Sequence, residues 1–413
     1  MMINYNNIRC LIGEAICHDD QSIWMSTVNY NGLYRYDIQE EKTYFLGAFP
    51  KSPKNAVCLH TKAVKAGEKI FFLPQKAGSY HVYDIEKNSI VASEESLPQG
   101  IKRNGGFLYE NCIYCISEAP RFMIYKIDIQ TNKIVEIKIP KEYSSYKFCS
   151  DIVCCKEKAY FACVDQNIIL EYDCKSSRIK KYELYLEEKG FGTICHDGNL
   201  FWLSNAKEIL RWEMESGKIQ SFKEFPKGYG MTYRSSLKKG EIVTCEGFSR
   251  QDISNEMPFC FSAYWEGDIW LFPFRTNVII RINCETGKME PVYWSEEEED
   301  AKSLNQIAKV RYTHAHYIGS SVSQSIWICS TKSRRMWKLD IIPEKSTAVT
   351  ILAEEPTDLV SYITDDFQII SEEYQDKNAL QNLIKRIIKK EIGHEKTDAQ
   401  DCVGEKIYQR IKG

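Results

Sequence analysis

Ile269-Trp270-Leu271, then Ile280-Arg281-Ile282-Asn283, then Cys284-Glu285-Thr286-Gly287-Lys288-Met289 is the stretch that decides the fold. An aromatic-centred apolar triplet, a polar turn and a second apolar run read as two antiparallel strands, since neighbouring residues of a strand face opposite sides. The second run closes on Asn283, followed by Gly287 and Lys288. A short polar side chain there bonds to the amides of a turn, which leads into a third strand. Six further stretches repeat this order, centred on Trp24, Phe71, Tyr114, Tyr160, Trp202 and Trp327. Their second runs close on Asp37, Asp84, Asp128, Asp173, Glu213 and Asp340.

The interval from aromatic to closing residue is 13 in five copies, 14 in the third and 11 in the fifth. Successive aromatics are 47, 43, 46 and 42 residues apart, then 68 and 57. A period of about 40 to 50 residues is that of propeller blades. An apolar segment precedes the copies, as in Glu14-Ala15-Ile16-Cys17, Ala56-Val57-Cys58-Leu59, Ile152-Val153-Cys154 and Thr193-Ile194-Cys195, and supplies a fourth strand. Small cysteines suit innermost strands, which converge. The expectation is an all-β chain: a seven-bladed β-propeller over 1–354, with insertions at about 231–256 and 295–308. A short α-helical C-terminal extension over 355–413 follows, its first helix marked by Leu380, Leu383, Ile384, Ile387 and Ile388 at helical spacing.

These hairpins resemble those of kelch-like, quinoprotein-like and streptogramin-lyase-like propellers over roughly 12–353, with Asn283-Cys284-Glu285-Thr286-Gly287-Lys288 the nearest to their shared strand-to-turn motif. The resemblance is to a superfold and identifies no specific family. Kelch blades carry a double glycine, matched here only by Gly105-Gly106, and no strand ends in a Trp-Asp dipeptide.

Composition narrows the function classes. Lys plus Arg (54) nearly balance Asp plus Glu (57), so no global field draws this chain of 413 residues to nucleic acid. Its residues are 43% hydrophobic, yet no run reaches the length of a transmembrane segment and the N-terminus lacks a signal-peptide pattern. A cytoplasmic protein is expected, its 16 cysteines mostly reduced and buried. Cys112 and Cys115 form a C-x-x-C, but residues three apart on a strand face opposite sides, against a redox pair or zinc knuckle.

Chemistry-bearing motifs are few. No Gly-rich phosphate loop, nucleophile elbow, H-E-x-x-H or paired C-x-x-C occurs, so neither cofactor nor metal is expected. His314 and His316, two apart on one strand face, are the candidate catalytic residues, with no third ligand in view. The turns between second and third strands carry Lys76, Arg121, Lys207, Arg275, Lys332 and Arg334, all opening at one end of the blades. These are the candidate ligand-binding residues. The functional expectation is a non-enzymatic recognition scaffold that binds a protein or carbohydrate ligand, anionic in character, at this basic face. The alternative is a lyase or hydrolase with a metal-assisted site at the propeller funnel.

Overall fold

In the computed structural model, residues 13–27, 30–54, 56, 58–97, 101–118, 120–227, 229, 257–273, 276, 278–292, 312–319, 324–330, 336–340 and 345–349 are described. For 13–14, 102–104, 260 and all of 312–349 except Ser325, Trp327 and Lys338, the description is of the backbone. The expected insertions and the C-terminal extension lie outside the described residues.

The described chain is all-β: seven four-stranded antiparallel sheets, each a meander in which successive strands are neighbours. We number them in chain order. Their first strands are Gly13–His18, His60–Ala66, Ile101–Tyr109, Val153–Cys155, Thr193–His196, Phe259–Trp265 and Tyr312–Gly319. The second strands carry the seven repeat aromatics, and all seven are buried. Such a set of short, radially related sheets has a β-propeller-like architecture. Among the described residues no helix is long and apolar enough to cross a membrane.

The packing follows from the alternation. Each sheet is apolar on both faces, so it needs a neighbour on either side. One cluster joins sheets 1 and 2 through Trp24, Phe49, Ile70 and Phe72. Others join sheets 2 and 3 through Phe71, Tyr80 and Ile113, and sheets 3 and 4 through Tyr114, Phe122, Phe161 and Tyr172. Tyr160, Phe201 and Trp212 lie between sheets 4 and 5, and Trp202, Ile269 and Ile280 between sheets 5 and 6. The first strands of sheets 6 and 7 touch, as do those of sheets 7 and 1. Tyr36 of sheet 1 meets Trp327 of sheet 7 with ring centroids 5.7 Å apart.

Two devices recur from sheet to sheet. The central aromatic of the second strand faces a cation on the third: Trp24 pairs with Arg35, Tyr114 with Lys126, Trp202 with Arg211, Trp270 with Arg281 and Trp327 with Lys338. In the last four pairs the cation lies 5.5–5.9 Å from the ring centroid, within cation–π range. The residue closing the third strand accepts from turn amides, as expected: Asp128 Oδ1 takes the amides of Gln130 (3.0 Å) and Thr131 (2.8 Å), and Asn283 Oδ1 that of Thr286 (3.0 Å). Asp37 and Asp173 do the same.

One expectation needs correction. Ala56-Val57-Cys58-Leu59 is not the first strand of sheet 2, which is His60–Ala66. Cys58 has φ +52°, a left-handed backbone that breaks an extended run. The register between first and second strands then shifts at a common place, between Gly13 and Ala15, His60 and Lys62, Phe259 and Phe261, and Tyr312 and His314. Such bulges re-aim the side chains that follow.

The boundary between sheets 1 and 2 is closed by a buried polar chain. Ser26 Oγ is 2.8 Å from His60 Nδ1, His60 Nε2 is 2.8 Å from His81 Nδ1, and His81 Nε2 is 2.8 Å from the Pro50 carbonyl oxygen. A carbonyl only accepts, so His81 donates from Nε2, His60 donates to His81, and Ser26 donates to His60. Both imidazoles are neutral in this arrangement. Burial holds the pKa of His60 well below its ordinary value, with the neighbouring His81 adding to the effect, and burial lowers His81 as well.

Candidate ligand pocket between the first strands

The first strands of sheets 4, 5 and 6 enclose a pocket of about 390 Å³, lined by Asp151 and Val153–Cys155, by Ile194–Gly198, and by Ser262 and Tyr264. His196, Asp197 and Gly198 belong to the turn between first and second strands of sheet 5. That places the pocket mouth at the end of the sheets opposite the turns between second and third strands, since successive antiparallel turns alternate ends.

Asp151 ties the three sheets together. It precedes the first strand of sheet 4, and its Oδ2 accepts from Ser262 N (2.9 Å), Ser262 Oγ (2.9 Å) and Ile194 N (3.3 Å). Burial outweighs these bonds and pushes the carboxyl up to about 7. Lys62, from the first strand of sheet 2, is near enough for its charge to act on Asp151, on Cys154 of sheet 4 and on Cys17 of sheet 1. Its own pKa is lowered, chiefly by burial. Lys62 and Asp151 are each of intermediate exposure.

Asp197 is bound into its turn: Oδ1 accepts from Asn199 N and Leu200 N (each 2.8 Å), and Oδ2 from Trp202 Nε1 (2.7 Å). Burial raises its pKa, but these bonds leave it lowered overall, so it stays ionised. His196 Nδ1 accepts from Gly198 N at 3.1 Å, which leaves Nε2 as the donor of a neutral ring, and burial lowers its pKa. Burial pushes the Cys154 thiol up to about 12 and also raises Cys155 and Cys195, so these sulfurs are not thiolates near neutrality. The pocket therefore offers fixed donors, acceptors and the half-exposed ring of Tyr264. It does not pair a nucleophile with a base. Among the described residues no three His, Cys, Asp or Glu side chains are grouped to hold a metal ion.

Lys76, Arg121 and Lys207, singled out from sequence, do not line this pocket. Lys76 is exposed in the turn after the second strand of sheet 2. Arg121 of sheet 3 lies 3.9 Å from Glu136, and Lys207 of sheet 5 is ion-paired with Glu188. Arg275, Lys332 and Arg334 lie outside the described residues. The backbone pairs His314 with Cys329 and His316 with Trp327. His314 thus holds the register that Lys62 holds in sheet 2, each opposite the residue two beyond the central aromatic. Asp151, Lys62 and Ser262 carried no motif. They come from three sheets more than 80 residues apart in sequence at their closest to Lys62, and the one local signal was a lysine on the apolar-lined first strand of sheet 2.

No family model matches this chain, and no curated protein matches it. Among solved structures it is similar to two crystal structures of the extracellular domain of BT4673 from B. thetaiotaomicron, described as a one-component system and as a hybrid two-component system. The first shows 11% identity and a TM-score of 0.42, covering 83% of this chain and 52% of that one. The second shows 10% identity and a TM-score of 0.43 with the same coverage, so the chain spans about half the length of these two. It is also similar to a chain of a mitotic checkpoint complex, at 9% identity and a TM-score of 0.47, covering 84% of this chain and 89% of that one.

Proposed function

We propose that the seven sheets close into a seven-bladed β-propeller that works as a non-enzymatic recognition scaffold, taking a small polar ligand into the pocket between its first strands. The closure rests on the Tyr36–Trp327 contact and on the touching first strands of sheets 1 and 7. The binding role rests above all on Asp151, whose bonds to Ser262 and Ile194 hold polar groups of three sheets in place before any ligand arrives. Preorganised donors and acceptors in a concave site are what recognition needs. Buried free thiols at Cys17, Cys115 and Cys195 support a reducing, cytoplasmic setting.

The test is a thermal-shift screen of amino acids, monosaccharides and small organic acids against the full chain, repeated on Ser262→Ala and Tyr264→Ala. Stabilisation of the parent that either substitution abolishes is expected. Ligands that stabilise all three proteins equally would place binding elsewhere.

A second reading puts an acidic peptide or anionic glycan at the opposite end. It is favoured by the exposure of Lys76, Arg121 and Lys207 in turns that share that end. Binding of a heparin fragment that weakens steeply with salt and is lost in Lys76→Glu would support it.

A further inference from the structure

Asp151 brings a half-used carboxyl group to the pocket between the first strands. Every hydrogen bond that it accepts falls on Oδ2, from Ser262 N (2.9 Å), Ser262 Oγ (2.9 Å) and Ile194 N (3.3 Å). Among the described residues none donates to Oδ1, although a carboxylate accepts on both oxygens. Asp151 is of intermediate exposure and lines the pocket of about 390 Å³, so Oδ1 is the acceptor it has left to offer there. The bonds on Oδ2 come from sheets 5 and 6 and hold the carboxyl plane still before a ligand arrives.

The rest of the lining sets the sign of what Oδ1 receives. The residues around the pocket include two carboxyl groups, Asp151 and Asp197, and neither a lysine nor an arginine. Asp197 stays ionised with both oxygens taken by Asn199, Leu200 and Trp202, so it adds negative charge without competing for a ligand's donor. Burial keeps His196 neutral near pH 7. Ile152, Val153 and Ile194 give an apolar wall, and the ring of Tyr264 is 41% exposed beside it. An unpaired acceptor in a cleft that is apolar and negative is complementary to an N–H cation on a short hydrocarbon body. We infer that the pocket binds a small organic ammonium ion, its N–H donated to Asp151 Oδ1 and its hydrocarbon portion against Ile194 and Tyr264. This rests on the reading of the pocket as a ligand site and names its ligand class. The raised pKa of Asp151 fits a carboxyl whose charge burial disfavours until a cation arrives. Lys62 does not line the pocket, and its charge counts for less at Asp151 than any of the bonds from Ser262 and Ile194.

The experiment is titration calorimetry at about pH 7.5 on the full chain with propylammonium chloride, 1-propanol and sodium propionate, probes of similar size that carry a positive, zero and negative charge. Propylammonium is expected to bind, with the other two weaker by about tenfold or more. Asp151→Asn should cost propylammonium about tenfold or more, because the amide keeps the shape but loses the charge. Tyr264→Ala removes an exposed ring, so it keeps the test decisive where Asp151→Asn disturbs folding, and it should weaken propylammonium by about threefold. 1-Propanol binding as tightly as propylammonium, or propionate binding more tightly, would overturn the cation, and a loss of that binding in Tyr264→Ala would leave the pocket reading standing. Propylammonium binding that is unchanged in both variants would put the cation elsewhere and overturn the inference. No binding of any probe would overturn it as well, and the thermal-shift screen then decides the pocket reading separately.

Discussion

Acidification from pH 7.5 to 5.5 should selectively weaken the boundary between sheets 1 and 2. His60 and His81 are each 1% exposed and are held neutral by the chain of bonds from Ser26 to the Pro50 carbonyl. Their folded pKa values are depressed, so the unfolded chain binds protons that the folded one refuses. The contribution is fully present above the unfolded pKa of about 6.5 and is lost as the pH falls below it. For an imidazole that stays neutral in the folded protein the loss is roughly 0.1 kcal/mol at pH 7.5 and about 1.4 kcal/mol at pH 5.5, which applies to His60, and His81 adds a loss of the same sign. Urea unfolding of the parent and of the double variant His60→Gln/His81→Gln, at pH 7.5, 6.5 and 5.5, reads this directly. The variant loses buried hydrogen bonds and should be less stable at pH 7.5, but it also lacks both unfolded-state protonation sites. Its deficit should therefore shrink by about 1.4 kcal/mol or more on going to pH 5.5. A deficit that stays constant across the range would refute the assignment of two neutral histidines.

Three further outcomes are expected. Gly190→Ala should destabilise by about 2 kcal/mol or more in the same urea assay, because Gly190 has φ +79° and a Cβ there would lie 1.9 Å from the Val164 carbonyl oxygen. Trp202→Phe keeps a ring in the core but removes the 2.7 Å bond to Asp197, and should cost about 1–3 kcal/mol while leaving the sheet content seen by circular dichroism unchanged. Cys195, buried and with its thiol pKa raised by that burial, should react with iodoacetamide at pH 7 about a hundredfold or more slower than free cysteine. Peptide mass spectrometry over time checks that rate.

How much was legible beforehand can be judged residue by residue. The seven aromatics, the turn-closing Asp and Asn residues and the hairpin order were all readable, because each depends on contacts within one sheet of about 40 residues. The first strand of sheet 2 was misplaced, since apolar Ala56–Leu59 looks as strand-like as His60–Ala66 until Cys58 is seen in a left-handed conformation. For the site, turn lysines were conspicuous because charges stand out from an apolar pattern, yet Arg121 and Lys207 meet Glu136 and Glu188.

By itself the sequence determined the local rhythm of this protein: which residues pair across a hairpin, which face is apolar, and that each sheet leaves surface its neighbours must cover. Period-2 alternation and turn chemistry are short-range properties, and they survive in the linear order. Only the tertiary structure decided that Asp151 and Ser262, from sheets 4 and 6, are hydrogen-bonded to one another, and that His60 and His81 form a hydrogen-bonded chain with Ser26. Those proximities are set by how whole sheets pack, and packing angles and bulges have no single-residue signature from which they could be read.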